Sequence, residues 1–404
     1  MDKNSKIVVF GASGLVGSAI VRKLLEKGYY NIIGTIHKRN PLIPYPLTLI
    51  PIDLTNQQSV ADFFKKYQPE YVFLAAAKVG GILANNTYKA DFIHDNIVIA
   101  SNIIHSAYKY GVKKLLNLGS SCIYPKFAPQ PMKEEHLLTG PLEPTNEPYA
   151  IAKIAAIKLC RYFNEQYNTN FLSVMPTNLY GPNDNFDLET SHVLPALIRK
   201  IHLGKCLEEN NWEEIRKDLD RRPIEGIDGK SDKEEILKIL EKYGIKIGIR
   251  DKRYGIGDRG YDVRGNKEEM DRKEIYPLTH TPFIPVSVEI WGTGSPFREF
   301  LHVDDMADAC VFVMENIEAK DMKKLSEDYF VNIGTGEDIR IRDLVELIRK
   351  IIGFKGKIEY NPEKPDGTPK KLLDVSKINQ LGWTARTGLE EGIRKVYEWY
   401  LEEG

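Results

Sequence analysis

The feature that most constrains the fold lies near the start of the chain. Lys6-Ile-Val-Val-Phe10 is a continuous apolar run that enters Gly11-Ala-Ser-Gly14-Leu-Val-Gly17, and a helical pattern then runs to Lys27 before Gly28. An apolar run without alternation fits a strand buried on both faces, which a parallel sheet flanked by helices provides. Glycines between such a strand and a helix permit a tight turn and close approach of a pyrophosphate, whose charge meets the helix N-terminus. The spacing is GxxGxxG rather than GxGxxG, so its strand–turn–helix context carries the argument. It assigns Gly11, Ala12, Ser13, Gly14, Leu15, Val16 and Gly17 to a dinucleotide.

The alternation continues. Asn31-Ile-Ile-Gly-Thr-Ile36, Leu47-Thr-Leu-Ile-Pro-Ile52, Tyr71-Val-Phe-Leu-Ala-Ala-Ala77, Lys114-Leu-Leu-Asn-Leu118 and Phe171-Leu-Ser-Val-Met-Pro176 read as strands, with helical segments at 59–67 and 88–110. This predicts an α/β fold: a doubly wound parallel Rossmann sheet. After the second strand come His37, Lys38 and Arg39, with no acidic residue. A carboxylate there would bind the ribose 2′-OH of NAD, whereas cations accommodate the 2′-phosphate of NADP. The reading is NADPH/NADP+, against a merely solvated basic turn. Asp53, at the third strand's end, is a candidate adenine contact.

The chemistry concentrates in two stretches, Asn117-Leu-Gly-Ser-Ser-Cys-Ile-Tyr124 and Tyr149-Ala-Ile-Ala-Lys153. Gly119 cuts off the preceding strand, so Ser120, Ser121 and Cys122 fall at a strand's C-terminal end, the edge where open α/β sheets bind ligands. Tyr149 and Lys153 are four apart in a helical segment over 149–167, so both leave the same face. A nearby positive charge is expected to lower the phenol from its ordinary value of about 10. Ser, Tyr and Lys converging on a carbonyl would hold and protonate it while hydride arrives from elsewhere.

A chain of 404 residues exceeds one average core. The expected division is 1–185 as NADP-binding Rossmann domain with parts of the later chain, 186–206 and 282–404 as a smaller C-terminal α/β substrate lobe, and 207–281 as a large insertion. The last is too long for an ordinary loop. Within it, Ser231-Asp-Lys-Glu234 reads as a capping box for a helix with Ile236, Leu237, Leu240 and Tyr243 on one face. The net charge of −1 gives no sign of a nucleic-acid partner. Cys122, Cys160, Cys206 and Cys310 have neither metal-ligand spacing nor a disulfide framework, which favours a reducing compartment. No metal and no membrane contact are expected, and the cytoplasm is the expected location.

Longer runs resemble the GDP-L-fucose synthase family of extended short-chain dehydrogenase/reductases. They are Ala75-Ala-Ala-Lys-Val-Gly-Gly-Ile-Leu-Ala-Asn-Asn86, Leu118-Gly-Ser-Ser-Cys-Ile-Tyr-Pro125, Glu143-Pro-Thr-Asn-Glu-Pro-Tyr-Ala-Ile-Ala-Lys153, Met175-Pro-Thr-Asn-Leu-Tyr-Gly-Pro182, Ser191-His-Val-Leu-Pro195 and Lys364-Pro-Asp-Gly-Thr-Pro369. The similarity spans about 6–400 apart from the insertion. It implies an NADPH-dependent 3,5-epimerase/4-reductase acting on GDP-4-keto-6-deoxymannose, and a homodimer. Tyr149 would protonate the C4 oxygen, Lys153 tune the phenol and hold the nicotinamide ribose, and Ser120 hydrogen-bond the ketone. Cys122 and His192 would be the base and acid that invert C3 and C5. Leu118, Gly119, Ser121, Pro176, Thr177, Asn178 and Leu179 would line the cofactor, and Lys200, Trp291, Arg298 and Asp366 the sugar nucleotide. Ser13 replaces an Arg frequent in relatives, which places 2′-phosphate recognition on His37, Lys38 and Arg39. Lys200 also stands where Arg is frequent, and loses its bidentate geometry.

Three other readings compete. A sugar-nucleotide 4,6-dehydratase would need carboxylates where Cys122 and Ile123 stand. A redox-inert NADP-binding regulator would lack the Tyr/Lys pair. A C4-reductase for a related GDP-4-keto sugar, a deoxyheptose or dideoxyhexose, could keep Cys122 and His192 without epimerising.

Overall fold

The computed structural model describes residues 1–37, 47–248, 284–364 and 366–402. The chain divides into two compact units, Met1–Ala196 with Thr293–Leu347 and Asp366–Gly404, and Leu197–Gly292 with Ile348–Pro365.

The first unit is built on a seven-stranded parallel sheet. Its strands are β1 (Ile7–Phe10), β2 (Ile32–Ile36), β3 (Thr48–Pro51), β4 (Tyr71–Leu74), β5 (Lys114–Leu118), β6 (Phe171–Pro176) and the Phe330–Ile333 strand. From one edge the order is Phe330–Ile333, β6, β5, β4, β1, β2, β3, reversing between β1 and β4. This is the doubly wound sheet that the alternation of apolar runs predicts. Successive side chains leave opposite faces of a strand, and both faces are covered here. Ile7, Val9, Phe73, Leu116 and Leu172 pack with the Leu15–Glu26 and Val303–Asn316 helices. Val8, Phe10, Val72, Leu115 and Phe171 pack with Phe63, Phe64, Ile103 and Cys160 on the other side. That double burial is why the strands read as unbroken apolar runs.

A second sheet in this unit was not legible as one in the sequence. Phe297–His302 pairs antiparallel with Asp338–Arg340 and parallel with Lys370–Lys371 and Asn178–Tyr180. Glu299, on its central strand, is fully buried and binds three backbone N–H groups, those of Thr335, Gly336 and Leu373, at 2.7, 2.8 and 3.0 Å. The carboxylate thereby fastens two loops to the strand between them.

The second unit contains a three-stranded sheet, Lys357–Asn361, Val286–Trp291 and Ile245–Ile247, and the helices Trp212–Arg221 and Lys233–Lys242. Residues 207–248 of the expected insertion therefore contribute two helices and a strand, while 249–283 lie outside the described residues. Ile215, Leu219, Ile236, Ile239 and Leu240 are buried, whereas Trp212, Leu237 and Tyr243 are half-buried. The capping box sits one residue later than expected, Asp232 with Glu235. Ser231 is occupied in a turn with Asp228, its hydroxyl accepting the Asp228 N–H at 3.2 Å.

Candidate active site

At the end of β5 the chain makes a short 3-10 turn, Ser121–Ile123, capped by Ser120, whose Oγ accepts the Cys122 N–H at 3.4 Å. No side chain fits at Gly119, since a Cβ there would stand 2.1 Å from the Met175 sulfur. The Cys122 thiol is buried beside the Ser120 hydroxyl. The Glu147–Tyr167 helix, with Pro148 in its first turn, brings in Tyr149 and Lys153 from one face. The Lys153 ammonium donates to the Leu118 carbonyl at 2.7 Å and lies 5.6 Å from the Tyr149 ring centroid. Phe92 meets that ring edge-on at 6.4 Å.

Burial dominates the electrostatics. It pulls Lys153 down to about 8, with the Cys122 sulfur opposing. It also pushes the Tyr149 phenol well above its ordinary value, and the Cys122 sulfur adds to this. The expected lowering of the phenol by Lys153 is not what the structure gives, because burial disfavours the phenolate. Tyr149 is therefore held as a loaded proton donor. Burial likewise raises Cys122, opposed by the Ser120 hydroxyl, then Lys371, then Lys153.

His192 stands just before the Val193–Glu208 helix. Its segment is fixed by the glycine turn at 80–81: the Gly81 N–H donates to the Thr190 carbonyl at 3.1 Å, and Asn85 clamps the Gly80 and Gly81 carbonyls. His192 keeps an exposed surface, yet enough protein surrounds the ring that desolvation lowers its basicity. It makes no hydrogen bond to the Ser120–Cys122–Tyr149–Lys153 cluster.

The dinucleotide cradle is sterically closed where backbone must come close. A Cβ on Gly17 would lie 2.0 Å from the Gly11 carbonyl oxygen, and Gly11, at φ +84°, would meet the Ala76 backbone at 2.9 Å. Gly14 is exposed and caps the Leu15–Glu26 helix without a side chain, leaving the first-turn N–H groups open to an anion. Ala12 and Gly11 are tied to Thr35 of β2 by hydrogen bonds of 2.9 and 3.2 Å. Ser13, Leu15 and Val16 complete the loop at half-buried positions. Asp53 accepts the Thr55 N–H and hydroxyl at 2.9 and 2.7 Å, which together hold it below the usual carboxylate range, with exposed His37 contributing less. Lys38 and Arg39 lie outside the described residues. Leu118, Gly119 and Ser121 line the end of β5, and Pro176 ends β6. Beyond it Thr177 and Asn178 both donate to the Glu299 carbonyl, at 3.2 and 2.8 Å, and Leu179 continues into the second sheet. The cradle fits a dinucleotide.

Of the sugar-nucleotide residues, Arg298 and Asp366 belong to the first unit. Burial lowers Arg298, with Asp366 opposing, and its guanidinium donates to its neighbour's carbonyl, Phe297 O, at 2.7 Å. Asp366 accepts the Thr293 N–H and hydroxyl, each at 2.7 Å. Lys200 and Trp291 belong to the second unit. There Lys200, pulled by burial down to about 8, donates to the Glu289 carbonyl at 2.7 Å. Trp291 is exposed, with the Lys364 ammonium 5.2 Å from its ring centroid. Sequence reasoning passed over Lys371, which pairs in register with Arg298.

The family model for the NAD dependent epimerase/dehydratase family matches residues 7–222 and 271–334. GDP-L-fucose synthase 1 of Arabidopsis thaliana is 45% identical over 401 residues, covering 99% of this chain and 94% of the relative. The chain belongs to the GDP-L-fucose synthase group of that family. Solved structures from Campylobacter jejuni also resemble it along nearly the whole chain. A GDP-6-OMe-4-keto-L-xylo-heptose reductase is 37% identical, with TM-score 0.82 and coverage of 100% and 99%. The GDP-mannoheptose C4 reductase MlghC, solved with NADP bound, is 38% identical, with TM-score 0.75 and coverage of 99% of each.

Proposed function

We propose that this family member is an NADPH-dependent enzyme that inverts C3 and C5 of a GDP-4-keto-6-deoxy sugar and reduces its C4 ketone, giving GDP-L-fucose. The observation that carries the reading is the cluster at the end of β5. A hydroxyl, a thiol, a proton-loaded phenol and a desolvated ammonium stand together there, beside a cradle that fits a dinucleotide. The bound cofactor supplies hydride. The chain supplies the rest. Ser120 hydrogen-bonds the ketone, which acidifies the protons on both neighbouring carbons, so one carbonyl serves two inversions. Cys122 takes those protons, and His192 returns protons to the opposite face, an imidazole near neutrality being suited to shuttling. Tyr149 protonates the C4 oxygen; an alkoxide is basic enough to take a proton from a neutral phenol. Lys153, fixed by the Leu118 carbonyl, orients the phenol and the nicotinamide ribose. Arg298 and Asp366 hold the nucleotide.

The second reading, a C4-reductase without epimerase activity, draws support from the heptose reductases. Product analysis by NMR after turnover of GDP-4-keto-6-deoxymannose separates the two. The proposal expects GDP-L-fucose, with NADPH preferred over NADH. A C4-reduced product with C3 and C5 uninverted would establish the second reading.

No described helix is long and apolar enough to cross a membrane. We place the enzyme in the cytoplasm as a homodimer. The exposed aromatics Tyr108, Tyr162 and Tyr167, on the Lys89–Lys109 and Glu147–Tyr167 helices, form the face a second copy would cover. Light scattering at micromolar concentration reads the mass directly.

A further inference from the structure

We propose that Asn85 is a positioning residue that sets His192 for proton return, and so governs inversion at C3 and C5 rather than their deprotonation; this rests on the epimerase reading above.

Asn85 lies on the short Ile82–Thr87 helix, and its side chain is buried. Its amide nitrogen is spent on the two carbonyls of the turn before it, Gly80 at 2.6 Å and Gly81 at 3.0 Å. Its backbone N–H also reaches the Gly81 carbonyl, at 3.1 Å. The turn so clamped stands between the neighbours of both proposed proton donors. On one side Gly80 packs on Phe92, where an added Cβ would lie 3.2 Å from the ring, and Phe92 meets Tyr149 edge-on. On the other, the Gly81 N–H donates to the Thr190 carbonyl at 3.1 Å, and an added Cβ would lie 3.1 Å from the Ser191 carbonyl oxygen. Thr190 is held from behind, its N–H and hydroxyl both donating to the Asp187 carboxylate at 2.8 Å. His192 follows two residues later, its carbonyl accepting the Ala196 N–H at 3.1 Å. The Asn85 amide thus grips the turn against which the His192 segment rests.

A second observation separates this grip from ordinary packing. The Oδ1 of the same amide is buried with no hydrogen-bond partner among the described residues, and so is the Ser191 hydroxyl beside His192. A buried acceptor left unused is unfavourable, and such groups in a native fold mark a geometry kept for function. That geometry matters for inversion because two faces of the sugar are involved. Cys122 takes the proton from carbon, and the C–H electron pair moves into the enolate. On the opposite face the enolate takes a proton from the His192 imidazolium, which is left as neutral imidazole. With His192 displaced, the proton returns to the face it left, and exchange proceeds without inversion.

The test uses the full chain with NADP+ and GDP-4-keto-6-deoxymannose in D2O, and reads the ratio of inverted to deuterium-exchanged carbon by NMR. Asn85→Asp keeps the shape but loses both amide donors, Asn85→Ala removes the side chain, and Asn85→Ser keeps a donor able to reach the carbonyl four residues back, that of Gly81. The ratio should fall about tenfold in Asn85→Asp and Asn85→Ala, less in Asn85→Ser, while total exchange and the Kd for NADPH stay within about twofold. In a His192→Asn background the Asn85 substitutions should add no further loss, since both act through one group. Carbethoxylation of the exposed His192, followed by mass spectrometry of its peptide, should quicken in Asn85→Asp and Asn85→Ala. An unchanged ratio and modification rate in the folded variants would overturn the proposal. So would exchange and inversion falling together, or losses that add to that of His192→Asn. No inversion by the unsubstituted enzyme, with the change in His192 modification intact, would instead overturn the epimerase reading.

Discussion

Cations withdrawn from water are treated in two opposite ways, at Arg199 in the second unit and at the candidate active site in the first. In the second, the fully buried Arg199 guanidinium is paired with Asp218 at 2.9 and 3.0 Å, and Asp218 also holds Arg222 at 3.0 Å. In the first, Lys153, Arg298 and Lys371 are desolvated with no ion pair against any of them among the described residues. A buried charge kept for stability is matched by a counter-charge, because an unmatched one costs several kcal/mol. Unmatched cations at the sheet edge that carries the thiol and the phenol therefore mark a place arranged for charge that arrives or develops: a diphosphate, an enolate, an alkoxide.

Substitution should make the contrast measurable. Asp218→Ala strands Arg199 and should cost about 3–5 kcal/mol in urea unfolding. Lys153→Met removes an unmatched charge and should cost no stability, leaving the fold as stable or more so. If the two cost the same, the distinction between the two places fails.

Tyr149→Phe should reduce NADPH oxidation on the order of 100-fold or more. Its circular dichroism and unfolding midpoint should stay close to those of the unsubstituted protein, since Tyr149 donates no hydrogen bond among the described residues. Near-normal turnover would remove Tyr149 from the chemistry.

The third effect is smaller and has a sign. Lys153 is held at about 8 in the folded protein against an ordinary value of 10.5, so the folded state sheds this proton first. Between those two values the unfolded chain binds more protons, and this group's contribution to stability rises with pH. Its ammonium is lost over the same range, so turnover should fall as pH passes about 8 while the stability difference between the unsubstituted protein and Lys153→Met moves in favour of the former. Both profiles running parallel would contradict the assignment.

Much of this was legible in the sequence where the physics is local. β1 and Gly11 to Gly17 announce their strand, turn and helix because double burial and tight approach leave only apolar residues and glycine. Tyr149 and Lys153 were placed together by helical spacing and Ser120 by the strand end that carries it, whereas the roles given to Cys122 and His192 came only from the family resemblance. Lys371 was not legible, because its significance depends on pairing with Phe297–His302, some 70 residues away in the chain. The Tyr149 shift was read with the wrong sign. Spacing shows the neighbouring cation but not how much protein packs around the phenol. The face of the Lys233–Lys242 helix was also misread in part. Tyr243 turns its hydroxyl to Glu225 at 2.8 Å, and Ile239 takes the buried position.

The central claim, that one ketone at this cluster serves both inversion and reduction, is tested most directly by ring-proton exchange in D2O. Enzyme, GDP-4-keto-6-deoxymannose and NADP+, which cannot donate hydride, should place deuterium at C3 and C5. The Tyr149→Phe protein should retain that exchange and the Cys122→Ser protein should lose it, because a hydroxyl is a far weaker base than a thiolate. Robust NADPH oxidation by the unsubstituted enzyme with no deuterium at either carbon would contradict the account and leave a C4-reductase.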